Sequence, residues 1–518
     1  MRAGVTRRRI RSSFGVMLAP GSRVGEYEVW GRLGGGGMSD VWLARHAQLE
    51  LPVIIKTLKA DLAANPEERV RRMLTEARLM ARIPSPFVVR AYDVGTYRDT
   101  PYVAQEYVDG IDLNELDHAR RESIGRGLPL WFVCESIAQI AHALHAAHQH
   151  GVLHRDVKPS NLFGSPELGA KLGDFGIAVA KQIGERALAE TSGTLRFMPP
   201  EALRGEALDR RADVFELGAT AFDLRYGSPP FPDPMVLLRG GPHAPFPPPA
   251  NAEEAYFQHV LARMLAPKRE DRFRTLAEPR RLMAALSHSA PRPPPPTRDG
   301  VGIWMSGTRI TAEIGDIARS SADGIVSSAN WQLRMRTGVG DALRRVGGDA
   351  IEEEALAYGE QPLGACVVTG PGQLACRRVI HAVSAWEQAS CVGRATQRAL
   401  LTAEREKLAT LVLPALGTGA ARVTFEACAA AMAAALRWHS SLGGSRLTEV
   451  RFVLFDPEMH RMFSEVLETA LLGDDDGTAD LGLLHAGAEA EVDGVSGDGP
   501  TFVMPTAAGS PPKSPRRP

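Results

Sequence analysis

The residues best equipped for chemistry in this sequence are the run His154-Arg155-Asp156-Val157-Lys158-Pro159-Ser160-Asn161 and the triplet Asp174-Phe175-Gly176 that follows it. Moving the γ-phosphoryl group of ATP to a hydroxyl needs little covalent help and much positioning: a base on the acceptor, metal ions across the phosphates, and cations against the developing charge. Asp156 would accept the acceptor's proton, Asn161 and Asp174 would hold Mg2+, and Lys158 would contact the γ-phosphoryl as it transfers. These groups must sit on two neighbouring loops, so the surrounding elements have to fix both loops at once.

A lone His-Arg-Asp means little, because short motifs recur by accident. Order along the chain supplies the weight. Leu33-Gly34-Gly35-Gly36-Gly37-Met38-Ser39-Asp40-Val41 reads as a glycine-rich loop, and Val53-Ile54-Ile55-Lys56 as a strand ending in a cation. With the later motifs they resemble the eukaryotic-type (Hanks-type) protein kinases, and Lys158 is the serine/threonine choice. The resemblance implies an α+β bilobal protein kinase fold over residues 25–286, using ATP and Mg2+. It implies that Leu33, Gly34, Gly36 and Val41 close over the nucleotide, that Lys56 reaches the α- and β-phosphates, and that Glu76, in the helical stretch 67–82, pairs with Lys56. Glu106 and Val108 would be the hinge that binds adenine through backbone groups, with Gln105 guarding the back pocket.

Further on, Gly193 to Glu201 resembles the end of an activation segment, and Asp213 to Gly218 the helix that supports the catalytic loop. Glu201 and Arg272 are the expected buried ion pair, costly to break from one side. Thr191 and Ser192 are the expected phosphorylation sites, with Arg155 placed to clamp them, and Thr194 is expected to contact Asp156. Three positions depart from the pattern: Ser39 for the third glycine, Phe197 for tyrosine and Pro199 for alanine. None removes a base, metal ligand or phosphate-binding lysine. A pseudokinase scaffold is the alternative that the altered loop leaves open.

At 518 residues and 44% hydrophobic content the chain is long enough for two or three domains with real cores. A net charge of -1 argues against a general role on nucleic acid or membrane surfaces. Cys134, Cys366, Cys376, Cys391 and Cys428 form no CxxC pair and are odd in number, which suits a reducing compartment. No apolar run approaches the ~20 residues that span a bilayer, so a cytoplasmic protein acting on protein substrates is expected. Residues 1–24 form a basic extension without the apolar core of a signal peptide, and Met17 offers an alternative start.

Residues 287–300 are proline-rich and read as a semi-rigid polyproline II spacer, whereas 472–518 are Gly-, Ala- and acid-rich and read as a disordered tail. Between them, residues 301–471 alternate strand and helix patterns, as in Gly324-Ile325-Val326 and the Ala-rich stretch from Cys428 to Trp438. That alternation predicts a parallel or mixed sheet flanked by helices, with a ligand site beyond the carboxyl ends of the strands.

Gly315-Asp316-Ile317, Ile325 to Asn330 with Gly338-Val339-Gly340, Val379 to Val383, and Pro414 to Ala420 together resemble the macro domain, an α/β three-layer module that binds ADP-ribose and related nucleotides. The resemblance implies that Asp316, with Ile317 beside it, holds the adenine and that Asn330 contacts the distal ribose. Backbone N–H groups of Gly338, Val339, Gly417, Thr418 and Gly419 would take the diphosphate. ADP-ribose or ADP-ribosylated proteins are the implied partners. Ser327-Ser328 replaces the usual Asn-Ala pair, and Arg336 either adds a phosphate contact or closes the pocket. The acid that some members use for ADP-ribosyl hydrolysis is Gly340 here, with Asp341 next, so binding is expected ahead of hydrolysis. His381 is expected to be a packed strand residue. His142, His145, His148 and His150 share a helix and are expected to be solvated or packed, not metal-binding.

Overall fold

The structure is a computed structural model that describes residues 18–35, 39–58, 66–98, 100–166, 169–175, 194–386, 389–419 and 423–473. Gly36, Thr191, Ser192, the first seventeen residues and almost all of the tail lie outside the described residues.

The amino-terminal lobe is built on a six-stranded sheet, in which Tyr27–Gly35, Ser39–His46, Pro52–Leu58, Thr100–Glu106 and Ala91–Tyr97 are neighbours in that order. Side chains alternate across a strand. Along Pro52–Leu58, Val53, Ile55 and Thr57 are therefore buried, while Ile54 and Lys56 share the opposite face. Helix Pro66–Met80 packs Met73 and Ala77 against Val103 of this sheet.

The second lobe is helical. Leu130–Gln149 buries apolar residues around most of its circumference and stops before Gly151, whose φ of +71° suits glycine. Helix Arg211–Tyr226 is buried almost all round, yet it carries Asp213, Glu216 and Thr220. Buried polar groups must find partners. These three find theirs in the catalytic loop, which makes the helix its scaffold.

The carboxyl-terminal part holds an eight-stranded mixed sheet. Thr308–Ile314, Glu449–Leu454, Thr410–Leu413, Gly324–Ala329 and Arg378–Val383 run parallel to their neighbours, and Cys366–Thr369 closes one edge antiparallel. Helices Val392–Arg405, Phe425–Ser441 and Pro457–Leu472 contribute to one core cluster; Gly338–Gly347 and Ala350–Leu356 contribute to another. Parallel strands need both faces covered, and here they are.

The proline-rich stretch is anchored near both of its ends. Helix Ala277–Ser289 runs into it, Arg292 lies 4.6 Å over the Trp131 ring and pairs with Glu135 at 3.3 Å, and Thr297–Arg298 already pairs with Ile303–Met305. The described residues fall in one compact unit. Trp30, Leu33 and Leu43 share a core cluster with Leu333, Leu363 and Cys391, so the two sheets are joined by apolar packing.

Candidate active site

Asp156, Lys158 and Asn161 converge as the sequence implies. Lys158 Nζ lies 3.0 and 2.9 Å from the two carboxylate oxygens of Asp156. Asn161 Nδ2 donates to the Asp156 backbone oxygen at 2.8 Å and to its Oδ2 at 3.1 Å, which leaves the Asn161 Oδ1 for another partner. Across the cleft, Lys56 Nζ meets Asp174 Oδ1 at 2.7 Å. The Asp174 side chain is 49% exposed, so a carboxylate oxygen stays open to the cleft. Mg2+ usually takes one or two carboxylates with phosphate and water oxygens, and this sparse donor set fits that habit.

Glu76 completes the group. It sits beside Lys56 and accepts from the Phe175 backbone N–H. Burial pushes its carboxyl up to about 7, against the pull of the Lys56 charge. Burial opposes the charged form of Asp174 too, but the Lys56 ion pair outweighs it and holds that carboxyl below its ordinary value.

Both loops are strained where chemistry needs them. Arg155 has φ +66° and Asp174 φ +48°, in the left-handed region that non-glycine residues seldom adopt. Asp213 supports the first: its Oδ2 accepts from His154 N at 3.0 Å and its Oδ1 from Arg155 N at 2.9 Å. Glu216 accepts from Val157 N at 2.8 Å, and Thr220 Oγ1 donates to Val157 O at 3.0 Å. His148 Nε2 lies 2.6 Å from Asp213 Oδ2; burial disfavours that carboxylate, but His148 outweighs it and lowers the carboxyl's pKa. Sequence reading identified the supporting helix but not Glu216, Thr220 or His148. The available signal was polar residues, three and four apart, in an otherwise apolar helix.

The other kinase-like positions are distributed around this centre. Gln105 is buried with its amide 3.8 Å from Met80 Sδ. The Glu106 carboxylate pairs with Lys171 at 2.6 Å. Val108 is buried, and its carbonyl accepts from Gly110 N at 2.9 Å. Leu33 and Val41 belong to the shared apolar cluster, and Gly34 takes φ +155°. Arg272 donates to Glu201 at 2.6 and 3.0 Å, fully buried as expected. The histidines each have an ordinary partner: His142 bonds Ser85 Oγ, His145 bonds Gln149, and His150 bonds Ala146 O.

The second pocket is assembled differently. Gly338 (φ +56°) opens helix Gly338–Gly347, and Gly417 (φ +76°) opens the loop after Thr410–Leu413. A Cβ at Gly338 or Gly419 would meet nothing within 4 Å, so a ligand can approach this backbone closely. Ser328 links the two sides: its Oγ bonds Ser384 Oγ at 3.0 Å and accepts from Gly417 N at 3.4 Å. That is what Ser327-Ser328 adds in place of Asn-Ala.

Asn330 is closed on itself. Its Oδ1 accepts from Gln332 N and Arg334 N, and its Nδ2 donates to Arg334 O. Asp316 caps the short turn Ile317–Arg319 through Ala318 N at 3.0 Å, and Ile317 is buried with its side chain in a core cluster. The Thr418 hydroxyl donates to Ala415 O. Val339 packs at the edge of the Ile317 cluster. Arg336 is held by Glu352 at 2.7 Å, an acid sequence reading passed over. Asp341 is taken up by Arg344 and Arg345 at 2.8 and 2.6 Å. His381 is fully buried against Thr369 at 2.9 Å, and burial drives its pKa down to about 4.

A bilobal fold with this catalytic loop, followed by a parallel sheet with glycine loops at its strand ends, defines a protein kinase domain joined to a macro domain. Residues 27–277 match the protein kinase domain family and residues 326–432 the Macro domain family. Over those two stretches the chain carries a protein kinase domain and a Macro domain. It is 35% identical over 287 residues to serine/threonine-protein kinase PknB of Mycobacterium tuberculosis, covering 53% of this chain and 45% of that protein. It is 37% identical over 283 residues to PknF of the same species, covering 52% of this chain and 58% of that protein. The chain thus spans about half the length of the curated relatives it matches. The crystal structure of the M. tuberculosis PknI kinase domain is 30% identical, with 52% of this chain and all of that one covered and a TM-score of 0.41.

Proposed function

We propose that this chain is a serine/threonine protein kinase whose macro domain binds ADP-ribose or a related nucleotide. The observation that carries the first half is the meeting of Asp156, Lys158 and Asn161 on one loop with Lys56, Glu76 and Asp174 across the cleft. Bound ATP and Mg2+ would supply the phosphoryl group and the bridging charge. For its part, Asp156 accepts the proton of a protein Ser/Thr hydroxyl, Lys158 neutralises charge on the phosphoryl, and Asn161 and Asp174 hold the metal. Lys56, fixed by Glu76, takes the α- and β-phosphates; Leu33, Gly34, Gly36 and Val41 cover the nucleotide, and the Glu106–Val108 backbone takes the adenine. Thr191 and Ser192 are the proposed phosphorylation sites.

In the macro domain, Gly338, Val339, Gly417, Thr418 and Gly419 take the diphosphate through backbone N–H groups, Asp316 and Ile317 the adenine, and Asn330 the ribose. The openness of the backbone at Gly338 and Gly419 supports this reading. ADP-ribose or ADP-ribosylated proteins are the partners it implies. All five cysteines are free thiols, which suits a cytoplasmic setting. Among the described residues, no helix is long and apolar enough to cross a membrane.

The test is phosphate incorporation from labelled ATP with Mg2+, beside Asp156→Ala, with phosphosites mapped and ADP-ribose binding measured by calorimetry. Label that persists in Asp156→Ala sinks the kinase assignment. No heat with ADP-ribose sinks the second.

A further inference from the structure

The cleft-facing side of the amino-terminal sheet does not end at the kinase's own residues. Ile54 and Lys56 share that face, and Ile54, Val41 and the hinge residue Tyr107 pack against a cluster that includes Leu333, Leu363 and Cys391 of the macro domain. Trp30 and Leu43 are buried in the same cluster. The approach is close: Leu363 N donates to Arg32 O at 2.8 Å, and a Cβ on Gly31 would lie 2.8 Å from Leu363 Cδ1. Val41, Ile54 and Tyr107 are only partly buried by this packing.

The same body is tied to the hinge and to the other lobe. Asp109 accepts from Gly393 N at 3.1 Å and Arg394 N at 2.9 Å, at the start of helix Val392–Arg405, and from Tyr107 Oη at 2.7 Å. Arg394 returns a bond to Gly110 O at 2.8 Å. Arg398 grips Glu115 at 2.6 and 2.7 Å, two parallel N–H···O bonds of the kind that fix orientation as well as distance. Farther along the seam, Arg120 donates to Leu442 O and Gly443 O, Arg446 to Ser123 O, and Trp438 meets Phe132 edge-on.

A body fastened to both lobes and to the hinge between them limits how far the lobes can open. We propose that the macro domain supplies the front wall of the ATP cleft, and that Asp109 and the Glu115–Arg398 pair are positioning residues that hold this wall, and with it the lobe angle, for nucleotide binding. The inference rests on the kinase reading given above. It goes beyond that reading in making the nucleotide site a product of both domains.

The experiment measures ATP affinity by equilibrium binding, and KM and kcat for a peptide substrate, in the full chain. Arg398→Glu and Glu115→Arg should each raise the Kd and KM for ATP about three- to ten-fold, the usual size of a close polar coupling, with kcat at saturating ATP unchanged. The double exchange Glu115→Arg/Arg398→Glu should recover most of the loss. Asp109→Ala/Arg398→Glu should weaken ATP further than either single change. Unaltered ATP affinity in that last variant overturns the wall and leaves the kinase reading standing. A fall in kcat with KM unchanged also overturns it, and failure of the charge exchange to recover affinity overturns the assignment to that pair. A wild-type chain that binds no ATP removes the kinase reading and the wall together.

Discussion

The two sites proposed here for nucleotides stand in opposite states of readiness. In the kinase domain the side chains expected to act meet in two groups, Asp156 with Lys158 and Asn161, and Lys56 with Asp174, and the loop from His154 to Val157 is held by Asp213, Glu216 and Thr220 from a buried helix. In the macro domain the backbone is open at Gly338 and Gly419, but the side chains expected to read a ligand are spent on their own turns: Asn330 on Gln332 and Arg334, Asp316 on Ala318. The difference teaches where each site keeps its specificity. Phosphoryl transfer depends on charges that must be in place beforehand, so a scaffold of buried polar bonds holds them. Diphosphate binding can rest on N–H groups of glycine loops, which cost little to hold ready, while side-chain contacts can exchange a local bond for a ligand bond.

The comparison is most sharply broken by removing a group from the prepared site. Asp156→Ala should lower phosphate transfer by about 10³-fold or more at intact stability, a loss in kcat rather than in KM for ATP. Steady-state kinetics with melting curves checks it. Disrupting the buried anchor should act on the fold instead: Glu201→Gln leaves Arg272 as a buried charge without its partner and should cost about 3–5 kcal/mol, read by urea unfolding.

The macro domain has its own buried titratable group, which makes its stability depend on pH. The His381 pKa is lowered to about 4 in the fold, so the unfolded chain binds more protons between that pH and the ordinary value near 6.5. Its contribution is complete above about pH 6.5 and is lost as pH falls towards 4, amounting to about 3 kcal/mol at the limit. Urea midpoints at pH 7 and 4.5 should move apart less in His381→Asn than in the wild type. The smallest effect is expected where side chains are already occupied. Asn330→Ala should weaken ADP-ribose binding about ten-fold, or roughly 1.4 kcal/mol, by calorimetry, and phosphate transfer in the same preparation should be unchanged.

Much of this was legible in one dimension because the kinase motifs are local. His154 to Asn161, Asp174 and the Val53 to Lys56 strand each encode a loop or strand whose side chains can be placed by type and spacing. Glu201 and Arg272 could be paired across seventy-one positions only through resemblance, and the structure joins them at 2.6 Å. The spacing of Asp213, Glu216 and Thr220 in an apolar helix marks them as buried polar groups, but which backbone atoms they and His148 and Ser328 serve was not legible, since a hydrogen-bond partner distant in sequence leaves no local pattern. Asn330 was found by its motif, but its turn bonds depend on the conformation of the loop it begins.

By itself, then, the sequence determined, through the resemblance its motifs carry, the two domain types and the order of those motifs along the chain. Composition and periodicity act residue by residue along a chain, and those features are local. Only the tertiary structure decided that Arg292 ties the proline-rich stretch to Trp131 and Glu135, that Leu363 and Cys391 extend the apolar face begun by Leu33 and Val41, and that Asp109 binds the start of a helix nearly three hundred residues away. Apolar contact and hydrogen bonding across such separations carry no spacing to be read; they exist only once the surfaces meet.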